Sequence, residues 1–176
     1  MLDPEFSFYQ STREIIEELD ETTSGGSENP SELSTTKNKE ERNLRVLCIP
    51  ARDDADDVVG MLLARLLEGR QGLSAQRIPI CTTTEMLSHV SDSEPDIVCI
   101  SALPPFGLNL ARALYLKLQA HSPDLHIVIC LWHFAGDLQK EKVRLKLSED
   151  HGFFTTMPQI LQHIAFRTQT IRSKSN

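Results

Sequence analysis

The chain has 176 residues, 40% of them hydrophobic, which suffices for one ordinary core and is too short for two domains of ~100 to 200 residues each. The formal charge of -7 is concentrated at one end: residues 1 to 43 hold four Lys/Arg and eleven Asp/Glu, whereas residues 44 to 176 hold fourteen of each. With no clustered Lys/Arg, neither nucleic acid nor an anionic membrane surface is expected as a partner.

Residues 1 to 43 divide into a short amphipathic piece, TREIIEELDE, and the polar run TTSGGSENPSELSTTKNKEERN. That run cannot bury enough apolar surface to offset its ordering entropy, so it reads as a flexible linker. From Leu44 the pattern changes. RVLCIP (45 to 50) reads as strand one. Helix one follows over 54 to 68, with Val58, Val59, Leu62, Leu63, Leu66 and Leu67 on one stripe, acids in its first turn and Gly69 closing it.

Strand two is expected over about 72 to 78, and Thr82 to Thr84 offer N-caps for a second helix. DIVCIS (96 to 101) is a continuous apolar run, as expected of a strand buried on both faces. Helix three spans about 107 to 120 with Leu108, Ala111, Leu114, Tyr115 and Leu118 inward. LHIVICLW (125 to 132) is strand four, 136 to 148 helix four, and GFFTT (152 to 156) strand five; a last helix starts near Pro158. Strands alternating with helices imply right-handed crossovers and a parallel sheet covered on both faces. The predicted fold is a three-layer flavodoxin-like α/β domain over residues 44 to 173, strand order 2-1-3-4-5.

In such a sheet, ligands bind outside the carboxyl ends of the strands at the switch point, here between strands one and three. The residues placed there are Arg52, Asp53, Asp54, Ser101, Leu103, Trp132 and His133. Arg52 could grip a carboxylate or phosphate in a bidentate fork, or pair locally with Asp54 or Asp57. Trp132 could stack a planar ligand or cap the core, and His133 could titrate near neutral pH or be solvated. The acids at 53 to 57 could hold magnesium or calcium. With no second oxygen ligand evident at another strand end, complementing the helix dipole at about 0.3 to 1 kcal/mol each is the favoured role.

Several chemistries are excluded or weakened. A phosphoacceptor receiver needs an aspartate ending strand three, a Ser/Thr ending strand four and a lysine ending strand five. Here those places read Ser101, the stretch Leu131 to His133, and Thr155 to Met157. PARDDADD has no glycine, and its carboxylates would repel a phosphate at the helix N-terminus. There is no nucleophile elbow, HExxH helix or glycine-rich phosphate loop, so a non-enzymatic role is expected. Cys48, Cys81, Cys99 and Cys130 lack CxxC spacing, and three sit in apolar runs, so reduced core thiols are expected, with no metal site. The remaining histidines, His89, His121, His126, His151 and His163, are scattered and read as surface or helix-end residues. No apolar run reaches ~18 to 20 residues and no secretory signal is visible, so the chain reads as soluble and cytoplasmic.

Two resemblances follow from these motifs. Ser101-Ala-Leu103 after DIVCI, with the helix DDVVGMLLARLLEGRQG after strand one, resembles the cobalamin-binding domain, whose motifs are D-x-H-x-x-G, S-x-L and G-G. The first motif here reads Pro50, Arg52 and Ala55, and the glycine pair falls near Leu131 and Trp132. Arg52 at the histidine position cannot ligate cobalt, so the resemblance implies the fold without histidine-ligated cobalamin, and no cofactor is expected. VLCIPARDDADDVVGMLLARLLE with PDIVCISALPPFG looks like the soluble C-terminal region of certain permeases of the autoinducer-2 exporter family. LDPEFSFYQ and TREIIEELDE look like the segment that precedes that module.

These resemblances imply a cytosolic regulatory or ligand-sensing domain tethered to a membrane transporter-like partner, with a small-molecule ligand at the switch point. The alternatives are an interaction or homo-oligomerisation module whose pocket is filled by Leu103, Phe106 and Trp132, and a histidine-independent cobalamin binder.

Overall fold

The computed structural model describes residues 12–16, 18, 43–105, 107–145, 147 and 151–174, with side chains at all of these except 145 and 172–174. The chain divides into two compact units, Met1–Arg42 and Asn43–Asn176. In the first, residues 12–16 and 18 are helical; the rest of the amphipathic piece and the expected linker lie outside the described residues.

The second unit alternates strands and helices: β1 (Leu44–Pro50), α1 (Asp54–Glu68), β2 (Leu73–Arg77), α2 (Thr83–Ser93), β3 (Ile97–Ala102), α3 (Gly107–His121), β4 (His126–Leu131), α4 (Leu138–Leu145), β5 (Gly152–Phe154) and α5 (Met157–Lys174). The sheet is parallel throughout, in the order β2-β1-β3-β4-β5. This is the flavodoxin-like arrangement expected from the alternating pattern.

Every residue of β3 and β4 is buried, because helices cover both faces. Successive side chains nonetheless sort by pleat. Leu47, Ile49, Val98, Ile100, Ile127 and Ile129 join one core with Leu114 and Leu118 of α3. Val46, Cys48, Ile97, Cys99, Val128 and Cys130 join the other with Leu63 and Leu67 of α1 and Ile160 and Ile164 of α5. The runs read as continuous in sequence because both faces are apolar.

The stripe expected on α1 holds at Val58, Leu63 and Leu67 and is corrected at Leu62 and Leu66. Gly60, Met61, Leu63, Ala64 and Leu67 are buried, whereas Leu62 and Leu66 are 41% and 42% exposed. The helix is rotated so that its small residues face the sheet: a Cβ on Gly60 would lie 3.6 Å from Ser101 Cβ, which puts α1 directly over β3. The same rotation buries Asp57, whose two carboxylate oxygens each accept from Arg77 Nη1 of β2 at 3.3 Å.

Asp53 caps α1 through its side chain, which accepts from Asp56 N, and Thr82 caps α2 in a reciprocal box with Glu85. β5 stops at Phe154, because α5 begins three residues later. Helix four runs from 138 to 145, and positions 146 and 148 of its expected end lie outside the described residues. Among the described residues no helix is long and apolar enough to cross a membrane.

Candidate functional site

Register brings the three central strands to a common rim. Pro50 pairs with Ser101 and Ala102 with Leu131, so β1, β3 and β4 end level. Across that rim Ala51 N donates to Ser101 O at 2.8 Å and Trp132 N to Ala102 O at 3.0 Å. The loops that follow are held at their first residue.

Ser101 and Trp132 project to the same face, the one covered by α1 and α5. The indole Nε1 of Trp132 donates to Ser101 Oγ at 2.7 Å, and the residues are 6% and 0% exposed. Trp132 belongs to the core formed with Cys130, Ile160 and Ile164, against which Leu103 and Met157 pack. His133 turns the chain immediately afterwards with φ 53°, a left-handed conformation that glycine adopts at less cost.

The next residue along the rim is fixed by α1. Leu103 N donates to Asp56 Oδ1 at 2.7 Å, and Asp56 is 2% exposed. Burial pushes its carboxyl up from 3.8 to about 6; the Leu103 N–H opposes that shift and the neighbouring Asp53 charge adds to it. Sequence reading placed Asp53 and Asp54 at the site and missed Asp56. The signal was present in helical spacing, since Asp56 lies four residues before Gly60 and seven before Leu63, on the inward stripe.

The expected site residues therefore fall into two groups. Ser101, Leu103 and Trp132 are tied into the interior by the bonds above. Arg52, Asp53, Asp54 and His133 lie on the accessible side of the rim, where Arg52 Nε meets Asp53 Oδ2 at 3.5 Å with both side chains about half exposed. Phe106 lies outside the described residues.

Among the described residues, three cavities bear on ligand size. One of about 160 Å³ lies between the ends of β1 and β2 and α3, with Arg52, Cys81 and Lys117 in its wall. A second of about 170 Å³ lies between the loops after β3 and β4, against Pro104, Pro105 and Trp132. A third of about 280 Å³ lies beside Arg45, Ser74 and Asp92. Each is smaller than the ~300 to 1,000 Å³ of pockets that hold drug-sized ligands.

Other chemistry-bearing groups cluster elsewhere. Cys48, Cys99 and Cys130 are buried and free, on one face of the sheet. Thiol hydrogen bonding and burial push Cys48 and Cys99 well above the usual range, so they stay protonated at neutral pH. The scattered-histidine expectation is corrected for three residues. His126 opens β4, His151 directly precedes β5 and His163 lies in α5; crossovers bring them together at the opposite rim. His126 is 6% exposed, and its Nε2 lies 3.0 Å from His163 Nε2. His151 Nδ1 accepts from Ile127 N at 3.1 Å and its ring stacks 6.0 Å from that of His126. Among the described residues, no group of three or more His, Cys, Asp or Glu is arranged to hold a metal ion.

No protein-family model matches the sequence, and no curated protein matches it. Solved structures are similar in fold. A cobalamin-binding protein from Desulfitobacterium hafniense is 20% identical with a TM-score of 0.53, over 73% of this chain and 60% of that one. A LuxR-family two-component response regulator from Aurantimonas sp. is 19% identical with a TM-score of 0.49, over 73% and 86% of the two chains. The chemotaxis protein CheY4 of Vibrio cholerae is 12% identical with a TM-score of 0.42, over 70% and 97%. At 20% identity the likeness to the cobalamin-binding protein is one of fold alone.

Proposed function

We propose that this chain is a non-enzymatic regulatory module, related to cobalamin-binding domains, whose corrin slot is closed by its own side chains. The observation that carries the reading is the buried bond from Trp132 Nε1 to Ser101 Oγ, which seats an indole between the sheet and α5 at the end of β4. Asp56 supports it by taking the Leu103 N–H of the S-x-L stretch, so two of the polar groups that a ligand would meet there already have partners inside the protein. Arg52 stands where the resembling family keeps its cobalt-ligating histidine, and a guanidinium has no lone pair to donate.

The module works through its surfaces, next to a membrane-embedded partner on the cytoplasmic side. The likeness of VLCIPARDDADDVVGMLLARLLE and PDIVCISALPPFG to the soluble region of exporter-family permeases supports that placement. A second reading, a small-ligand sensor, is favoured by the cavity that Arg52 and Lys117 line.

Incubation with hydroxocobalamin followed by desalting tests the closed slot. The reading expects a colourless protein with an unchanged melting temperature. A pink protein carrying stoichiometric corrin contradicts it.

A further inference from the structure

We propose that the cavity between the ends of β1 and β2 and helix α3 binds a short aliphatic monocarboxylate. This deepens the sensor reading and rests on it, while the closed corrin slot stands or falls separately.

Size narrows the ligand first. About 160 Å³ holds roughly five water molecules at ~30 Å³ each, too little for a corrin, a flavin or a nucleotide and enough for a short aliphatic chain. Polarity narrows it further. The inner wall is apolar, with Met86 and Leu114 only 5% and 7% exposed and Ala113 beside them on α3. Two cations line it from separate elements, Arg52 from the loop after β1 and Lys117 from α3, and no acidic residue lines it among the described residues. An apolar wall under two positive charges suits a molecule with one hydrocarbon end and one carboxylate.

Arg52 already meets Asp53, but at 3.5 Å with both side chains about half exposed, a pairing worth little in solvent. An incoming carboxylate competes with Asp53 for the guanidinium. Inorganic phosphate would satisfy the cations and leave Ile80 and Ala113, the exposed apolar residues of the same wall, uncovered. A neutral alcohol would cover them and leave the cations unused. Because Asp53 is the N-cap of α1, capture of Arg52 bears directly on the helix start that holds Asp56 and Leu103 in place.

The test is a titration of the full chain with hexanoate, pentanol and inorganic phosphate, followed by backbone amide NMR shifts. Saturable hexanoate shifts are expected around Cys81, Ala113 and Arg52, with at least ~10-fold weaker binding of pentanol and phosphate. The same loss is expected for hexanoate in Arg52→Gln with Lys117→Gln. Ala113→Phe fills the cavity from an exposed helix position and abolishes the shifts, while melting near the parent temperature shows that it folds. No saturable shift at ~10 mM hexanoate overturns the proposal, as does hexanoate binding unaffected by Ala113→Phe or no tighter than pentanol binding. A protein that stays colourless with cobalamin and ignores hexanoate keeps the closed slot and loses this site; one that binds hexanoate and corrin does the reverse.

Discussion

The indole nitrogen of Trp132 and the hydroxyl of Ser101, 31 residues apart in sequence, meet at 2.7 Å with both residues buried. Adjacent parallel strands with matched ends create the contact, since Ser101 is the residue before the end of β3 and Trp132 the first residue after β4. A buried donor and acceptor satisfied by one another couple energetically. Trp132→Phe and Ser101→Ala should each lower stability in urea denaturation, the first by about 2 kcal/mol and the second by about 1 kcal/mol. The double variant should lose less than the sum of the two. Strict additivity would mean that the bond contributes nothing beyond packing.

Asp56 predicts a pH dependence of unusual sign for a carboxylate. Its folded value of about 6 lies above the unfolded value of 3.8, so its contribution is full below about pH 4 and is lost as pH rises through 6. Asp56→Asn keeps an acceptor for Leu103 N without the buried charge, and should exceed the parent in stability by about 1 to 2 kcal/mol at pH 7.5 and match it near pH 4. Asp56→Ala leaves Leu103 N unpaired and should fall below the asparagine variant by about 1 to 3 kcal/mol at every pH. Equal stability of the alanine and asparagine variants would remove the bond from the account.

The histidine pair predicts the opposite slope. Burial first, then the charges of Arg167, His163 and His151, hold His126 down at about 3, and burial and Arg167 lower His163 as well. At 3.0 Å one Nε2 donates and the other accepts, and protonating the acceptor turns two donors toward each other. A depressed folded value gives stability that is present above pH 6.5 and lost as pH falls toward 3. Chemical denaturation should show a loss of about 2 kcal/mol between pH 6.5 and 5 from His126 alone. His126→Phe should flatten that slope; an unchanged slope would assign the acid sensitivity to other groups.

Asp57 and Arg77 tie α1 to β2. Asp57 is 1% exposed, so Arg77→Leu removes a cation from a buried carboxylate and should cost about 3 kcal/mol by urea denaturation. Adding Asp57→Asn should recover most of the loss. A single variant within 0.5 kcal/mol of the parent, the size expected of an ordinary surface substitution, would show that the pair is solvated in solution.

The topology was legible because β-branched runs such as DIVCIS and LHIVICLW alternate with helical stripes, and short crossovers leave few ways to arrange them. The rim was legible in part. Arg52, Ser101 and Trp132 lie at or just past strand ends, which sequence locates well, but the partner that each side chain chooses depends on strand register. Asp56 was hidden in DDADD because four similar acids differ only in helix phase, and the rotation that chose among them came from Gly60 and Ala64 packing onto β3. His126 and His163 looked unrelated for the same reason, since 37 residues and a crossover separate two rings whose nitrogens are 3.0 Å apart.

Trp132 is the single tryptophan, so its indole proton reports the state of the slot without interference. The decisive measurement is solvent exchange of the Trp132 Nε1 proton by NMR, with and without hydroxocobalamin. One indole resonance is expected, strongly protected from exchange and unmoved by the corrin. Rapid exchange in the free protein, or a shift of that resonance on adding the corrin, would contradict the claim that the indole closes the slot.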